Sequence, residues 1–209
     1  MEEEFDFGSA EEQKKSVNRF EEMIRNEDQY FFDSSAFESI IEYYSDKNEP
    51  VKALQVIEFA TGQHPFEANF YTKKAQILAG LRQFGLALEA LDKAESLEPQ
   101  DADIFLIKGT IYASQGEYEL SEEFLNQALH TAENKDEEVY HQLATIYQLQ
   151  MNYEKAKVFL KKTLKLQPDN PDALLEINFC FDMLNQSEEA LAFFTQLIDE
   201  EPYSFHGWY

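Results

Sequence analysis

Residues 105–129 read FLIKGTIYASQGEYELSEEFLNQAL, and this stretch decides the fold class. Phe105, Gly109 and Tyr112 recur at i, i+4 and i+7, which places them on one face of an α-helix. Gly116 follows, and glycine tolerates the left-handed backbone that commonly ends a helix. A second apolar run of the same periodicity comes after it. The stretch therefore predicts two helices joined by a tight turn.

A period of 34 residues extends this pattern along the chain. Prolines at positions 65, 99, 168 and 202 are separated by 34, 69 and 34 residues, and 69 is two periods with one residue inserted. Five periods place a large apolar or aromatic residue at one position and a small residue at another. The large set is Tyr44, Leu78, Tyr112, Tyr147 and Phe181, and the small set is Ala53, Ala87, Ser121, Ala156 and Ala190.

This pattern resembles the tetratricopeptide repeat (TPR), a 34-residue helix–turn–helix unit with small and aromatic residues at fixed positions. The resemblance covers about residues 34–202 and is closest to a bacterial-type protein with several repeats. It implies an all-α fold, a right-handed α-solenoid of stacked antiparallel helix hairpins. Each hairpin of such an array covers the apolar side that its neighbour leaves open.

The period predicts the organisation of the whole chain. We expect a disordered acidic segment over residues 1–9 and an N-terminal capping helix over 10–33. Phe205 and Trp208 would occupy the first and fourth positions of a sixth unit, so residues 203–209 are interpreted as the start of a truncated unit. Alternatively, Trp208 closes a natural chain end as a short plug. The five complete units are predicted at 34–67, 68–101, 102–136, 137–170 and 171–204.

Composition narrows the class of function. The chain has 41 acidic and 17 basic residues and a net charge of −24, so anionic nucleic acid and anionic membrane are unfavourable partners. Cys180 is the single cysteine, which fits a reducing compartment. The N-terminal sequence resembles no secretory signal, and no apolar run reaches membrane-spanning length. These features predict a cytoplasmic protein.

Motifs that carry catalytic chemistry are absent from the sequence. There is no glycine-rich phosphate loop, no G-x-S-x-G and no H-E-x-x-H, and the four histidines are scattered. We therefore expect no enzyme activity, no cofactor and no metal. Cys180 is interpreted as a small packing residue, with a redox role as the alternative.

One helix carries the only basic cluster of the sequence. It is interpreted as a solvated face, with a docking patch for an acidic partner or for another copy of the chain as the alternative. Its members are Lys155, Lys157, Lys161, Lys162 and Lys165.

The TPR resemblance also implies a partner groove. In that family the first helices of the repeats line a concave groove, and positions 2, 5, 9 and 12 point into it. These positions hold no lysine or arginine here, so a basic clamp for a terminal carboxylate is not expected. Alternatively, the two apolar members at positions 175 and 179 pack against a sixth unit or a neighbouring helix. The candidate groove residues are Glu38, Glu42, Asn69, Thr72, Gln76, Asp103, Leu106, Thr110, His141, Thr145, Gln148, Leu175, Phe179 and Asp182.

The leading functional hypothesis is a non-enzymatic scaffold that binds a peptide or helix of another protein in this groove. The expected partner carries apolar anchors and has basic or neutral character. A second hypothesis is self-association through an exposed C-terminal edge formed by Phe205, Trp208 and Tyr209. A third is a regulatory arm of a larger protein.

Overall fold

The computed structural model describes residues 2–131 and 136–200, and the side chains of residues 11–131 and 137–199. Every regular element in these ranges is an α-helix, which confirms the all-α prediction. The helices are α1 Glu2–Asn26, α2 Ser34–Asp46, α3 Pro50–Gln63, α4 Ala68–Gly80, α5 Phe84–Leu97, α6 Ala102–Gln115, α7 Tyr118–Thr131, α8 Asp136–Leu149, α9 Tyr153–Leu166, α10 Pro171–Met183 and α11 Ser187–Glu200.

The chain divides into two compact units, Met1–Pro99 with helices α1 to α5 and Gln100–Tyr209 with helices α6 to α11. Within each unit, consecutive helices pack against one another as in a helical solenoid. After α1 the helices form pairs joined by short turns. The first helix of the fourth pair begins at Asp136, one residue before the predicted boundary, and the other four begin at the predicted residues.

Small residues bring the two helices of a pair together. Ala53, Ala87 and Ala156 are fully buried. In the third pair, Ser121 is also fully buried, and its hydroxyl donates to the carbonyl of Gly109 at 2.6 Å. This distance requires the backbone of α6 to lie close to α7, which only a small residue on each helix permits.

The N-terminal helix is longer than the sequence pattern suggested. Residues 1–9 were expected to be disordered, but α1 begins at Glu2 and continues to Asn26. Glutamate and alanine are good helix formers, so the acidic segment can continue the helix that follows it. Val17, Phe20 and Met23 bury their side chains in the core of the first unit, and α1 packs against α2.

The segment between α1 and α2 is held by side chains from the end of α3. The Gln63 amide donates to the carbonyl of Tyr30 at 2.8 Å and accepts from the amide of Phe32 at 3.0 Å. The His64 ring lies 2.8 Å from the Phe32 carbonyl. Asp33 caps α2 by accepting a hydrogen bond from the amide of Ala36, and this bond holds the pKa of the Asp33 carboxyl below its usual value.

The turns between paired helices share one backbone conformation. In each of these turns, one residue just after the end of the first helix has a positive φ. Glycine commonly has this conformation at the end of a helix. Glycine was expected to adopt this conformation at position 116, and asparagine, arginine and methionine adopt it at the other turns. The five residues are Asn48 (φ 54°), Arg82 (57°), Gly116 (81°), Met151 (58°) and Asn185 (56°).

The last helix pair departs from the repeat. Asn178 of α10 lies at the repeat position that Gly109 occupies in α6, and its side chain is exposed. Contact between α10 and α11 instead runs through the ring of Phe181, which lies 5.8 Å from Phe193 and 6.4 Å from Phe194. Ala190, at the small-residue position of α11, is only half-buried.

Candidate functional site

In the compact unit Met1–Pro99, α2 and α4 are the first helices of their pairs, and the surface that they share is polar. Asn69 donates its amide to the Glu38 carboxylate at 2.5 Å, and the Lys73 ammonium lies 3.8 Å from a carboxylate oxygen of Glu42. Gln76 is exposed beside them. The predicted groove residues Glu42, Asn69 and Gln76 are therefore exposed. Asn69 contacts Glu38, and Glu42 contacts Lys73, in each case across the two helices.

Two predicted groove residues are buried. Thr72 is 5% exposed, and its hydroxyl donates to the Ala68 carbonyl within its own helix. Leu106 is 6% exposed and packs in the core of the second unit with Phe105 and Leu143. Spacing along one helix could not reveal this, because neighbouring helices decide which side of a helix is covered.

Polar side chains connect α8 and α10 in the second unit. Gln148 donates its amide to one carboxylate oxygen of Glu176 at 2.8 Å, and the Nε2 atom of His141 lies 3.3 Å from the other. The Thr145 hydroxyl donates to the His141 carbonyl. Glu176 was not among the predicted site residues because it lies one position outside the groove pattern, yet it joins two of them.

This cluster favours a protonated histidine. The contact with Glu176 raises the pKa of His141 above its ordinary value, and the charges of Glu176, Glu137 and Asp172 act in the same direction. Partial burial opposes the shift, because it removes water from the charged ring. The protonated form of His141 thus forms an ion pair that links the two helices.

An apolar stripe lies beside this cluster on α10. Leu175, Phe179 and Met183 are spaced by four residues and are 72%, 47% and 47% exposed. The rings of Phe179 and Tyr153 pack nearly perpendicular to each other, with the ring centres 5.7 Å apart. Asp182 is exposed next to the stripe. Met183 was missed from the sequence, although its i+4 spacing from Phe179 is a recognisable signal.

The two helices that carry this face are acidic. Residues 136–149 contain three acidic residues and residues 171–183 contain three, and neither range contains lysine or arginine. The field at this face therefore favours cations. Asp103 and Thr110, on α6 of the same unit, are half-buried, and the Thr110 hydroxyl donates to a carbonyl of its own helix.

The lysine cluster is not simply solvated. Lys157 is 6% exposed and lies 3.2 Å from Glu154 and 3.3 Å from Glu189. The other ammonium groups of α9, apart from Lys165, lie over aromatic rings, a favourable electrostatic contact. Those pairs are Lys155 over Tyr147, Lys161 over Phe181 and Phe193, and Lys162 over Tyr140 and Phe159.

Within the described ranges, no group of three histidine, cysteine, aspartate or glutamate side chains is arranged to hold a metal ion. Cys180 is fully buried, and burial raises the pKa of its thiol to about 11. A thiol with such a pKa is a poor nucleophile at neutral pH. Helices long and apolar enough to span a membrane are likewise absent from the described part of the chain. The edge candidates Phe205, Trp208 and Tyr209 lie outside the described residues.

Two family models match the sequence, both described as tetratricopeptide repeat, at residues 72–137 and 137–170. Together with the paired helices and the 34-residue period, they define the class as an all-α repeat protein. The chain is a multi-repeat TPR protein. No curated protein matches the sequence significantly.

Solved structures of TPR proteins share the fold. MamA (residues 41 to the end) from Desulfovibrio magneticus is 19% identical, with a TM-score of 0.64 over 82% of this chain and 96% of that one. PilF from Pseudomonas aeruginosa is 15% identical, with a TM-score of 0.62 over 96% and 97%. YrrB, described as a TPR protein with an unusual peptide-binding site, is 18% identical, with a TM-score of 0.55 over 84% and 90%. These identities establish a common fold.

Proposed function

We propose that this protein is a scaffold that binds a segment of a partner protein on the α8–α10 face of its second unit. The TPR fold supports a role in protein–protein interaction in general. The observation that carries the more specific proposal is the stripe of Leu175, Phe179 and Met183, exposed on a helix without any basic residue. Large side chains left in water at regular spacing are typical of a surface that a partner covers.

The chemistry of this face defines the partner. The stripe offers apolar contacts to a side chain such as leucine or phenylalanine. Asp182 beside it and Asp172 at the start of α10 offer carboxylates to lysine or arginine. A short helix or extended segment with one or two apolar anchors and flanking basic residues satisfies both. The match of this chain to YrrB, whose description includes a peptide-binding site, is consistent with this role.

Selection from a random-peptide display library tests the partner chemistry directly. We expect the selected sequences to combine large apolar residues with lysine or arginine. A selection dominated by acidic sequences would contradict the proposal.

The location of the binding site is tested by truncating one leucine and one phenylalanine of the stripe, with one exposed leucine and one exposed phenylalanine elsewhere as controls. Leu175→Ala and Phe179→Ala should each weaken binding of a selected peptide by about tenfold, as for an anchor residue of an interface. Leu191→Ala and Phe66→Ala are the controls, because these side chains are 72% and 83% exposed but lie on other surfaces. Equal losses in all four variants, measured by fluorescence anisotropy, would exclude the α8–α10 face.

A further inference from the structure

A second surface of the same unit has the opposite electrostatic character. A cleft of about 520 Å³ lies between α9 and α11. Leu164, Pro168, Phe193 and Leu197 form its apolar wall. It is separate from the stripe on α10, none of whose three residues lines it.

Two lysines and one amide complete the lining of this cleft: Lys161, Lys165 and Gln196. Among the described residues that line it, none carries a carboxylate, although the chain has 41 acidic residues against 17 basic ones. Lys161 is paired with Glu189 at 3.1 Å. Lys165 is exposed and makes no ion pair or ring contact within the described residues, so its ammonium is available to an incoming carboxylate.

An apolar wall with ammonium groups at its mouth fits an acidic segment that carries an aromatic anchor. This chain contains one: residues 2–7 read EEEFDF, four carboxylates and two phenylalanines without a basic residue. Opposite charges attract, and a phenylalanine can occupy an apolar cleft.

We propose that the α9–α11 cleft binds residues 2–12 of a second copy of this chain. The contact joins two different surfaces of the same molecule, so it is heterologous. After one such contact, one copy still has a free cleft and the other copy still has a free acidic segment. Such a contact extends a chain of copies rather than closing a symmetric dimer. The attraction between exposed charges weakens with salt.

Analytical ultracentrifugation of the full chain over a concentration series tests the association. The weight-average mass should rise with concentration at low salt and fall toward the monomer at high salt. Lys165→Glu should weaken the association by at least about tenfold. Lys93→Glu, the same charge reversal at an exposed lysine of α5, is the control and should behave as the wild type.

Two complementary variants test the geometry. The Lys165→Glu chain keeps the acidic segment and loses the cleft, whereas a Phe5→Ala, Phe7→Ala chain keeps the cleft and loses the anchors. Neither should associate alone, and an equimolar mixture should form a 1:1 complex and nothing larger. Circular dichroism checks that each variant retains its helices. A mixture that stays monomeric while the wild type associates would overturn the proposed pairing.

A labelled peptide of residues 2–12, EEEFDFGSAEE, tests whether the cleft binds this segment independently of the association of two copies. Anisotropy should show binding to the Phe5→Ala, Phe7→Ala chain, loss of binding in a chain that also carries Lys165→Glu, and no binding of the peptide EEEADAGSAEE. If the peptide binds but the wild-type chain is monomeric at every concentration, the second copy is excluded as the occupant. If the peptide does not bind and the chain is monomeric, the cleft is not a docking site for this segment. Neither result bears on the α8–α10 face, which is tested with different peptides and variants.

Discussion

At the scale of single residues, one glycine shows how the repeat pattern becomes a contact. Gly109 was placed at the helix–helix contact from its position in the 34-residue period. An added Cβ at this glycine would lie 2.7 Å from Cγ and 2.8 Å from Cδ2 of Leu125, and 3.3 Å from the carbonyl oxygen of Ser121. The leucine is itself fully buried, so it has little space into which to move.

Gly109→Ala should therefore destabilise the second unit by about 1–3 kcal/mol, and Gly109→Leu by at least as much, because the core there is already full. Gly62→Ala is the matched control, since no atom lies within 4 Å of its added Cβ. We expect it to be neutral or to stabilise by at most about 1 kcal/mol. Urea unfolding followed by circular dichroism measures both. Equal effects of the two substitutions would show that α6 and α7 are not in close contact at Gly109.

At the scale of elements, the proposed partner-binding face depends on how α8 and α10 are joined. Glu176 accepts from Gln148 and contacts His141, so one carboxylate fixes the spacing of two helices. This contact lies beside the apolar stripe and helps to position it. Because one member is a histidine, the strength of the connection depends on pH.

The raised pKa of His141 sets the sign of this dependence. The folded state binds the proton more tightly than the unfolded state, whose histidine has a pKa of about 6.5. The stabilisation is fully present below that value and is lost as pH rises through the raised folded value. NMR titration of the His141 ring should give a midpoint above that of an unstructured histidine.

Substitution of Glu176 tests whether this carboxylate causes the raised pKa of His141. Glu176→Gln should lower the His141 midpoint, because the largest favourable contact is removed. Glu138 is an exposed acid on α8, the helix that carries His141, and Glu138→Gln should shift the His141 midpoint less. If Glu176→Gln leaves the midpoint unchanged, the contact between α8 and α10 does not determine the protonation of His141.

At the scale of the whole molecule, the chain consists of two compact units, and the helix pairs that follow α1 belong to one repeat. The second unit carries both proposed binding surfaces and the single cysteine. Cys180 packs with Ile177 and Phe181 in the core of that unit, so its thiol reports whether the unit is open or closed.

Reaction of Cys180 with a thiol reagent at about pH 8 should accordingly be slow. Both burial and the raised pKa, about 11, limit the thiolate that the reagent can reach. We expect a rate roughly a hundredfold or more below that of the chain unfolded in guanidinium, since reaction requires the unit to open. The Gly109→Ala variant should react faster than the wild type. A native rate close to the unfolded rate would show that Cys180 is accessible.

Much of the fold could be predicted from the sequence because the relevant signals are local. Helical periodicity, the 34-residue period and the small residue at each helix contact depend on residues within one hairpin. They predicted an all-α fold of paired helices, as the described residues show, and the left-handed turn residue Gly116. The start of α1 was wrong, because an acidic composition was interpreted as disorder although glutamate also favours helix.

The candidate site was less predictable, because exposure depends on residues distant in the sequence. The groove positions were assigned from spacing along single helices, and burial by neighbouring helices removes Thr72 and Leu106 from them. Glu176 and Met183 entered the site only when α8 and α10 were seen together.

The sequence by itself determined the repeat, its helices and its acidic character, since each follows from residue type and short-range spacing. The tertiary structure alone decided that Lys157 is buried among carboxylates, that Phe181 contacts Phe193 and Phe194 of α11, and that a lysine-edged cleft lies between α9 and α11. The physical reason is that burial and charge pairing depend on the sum of all neighbours of a side chain. Those neighbours come from helices that no local pattern brings together.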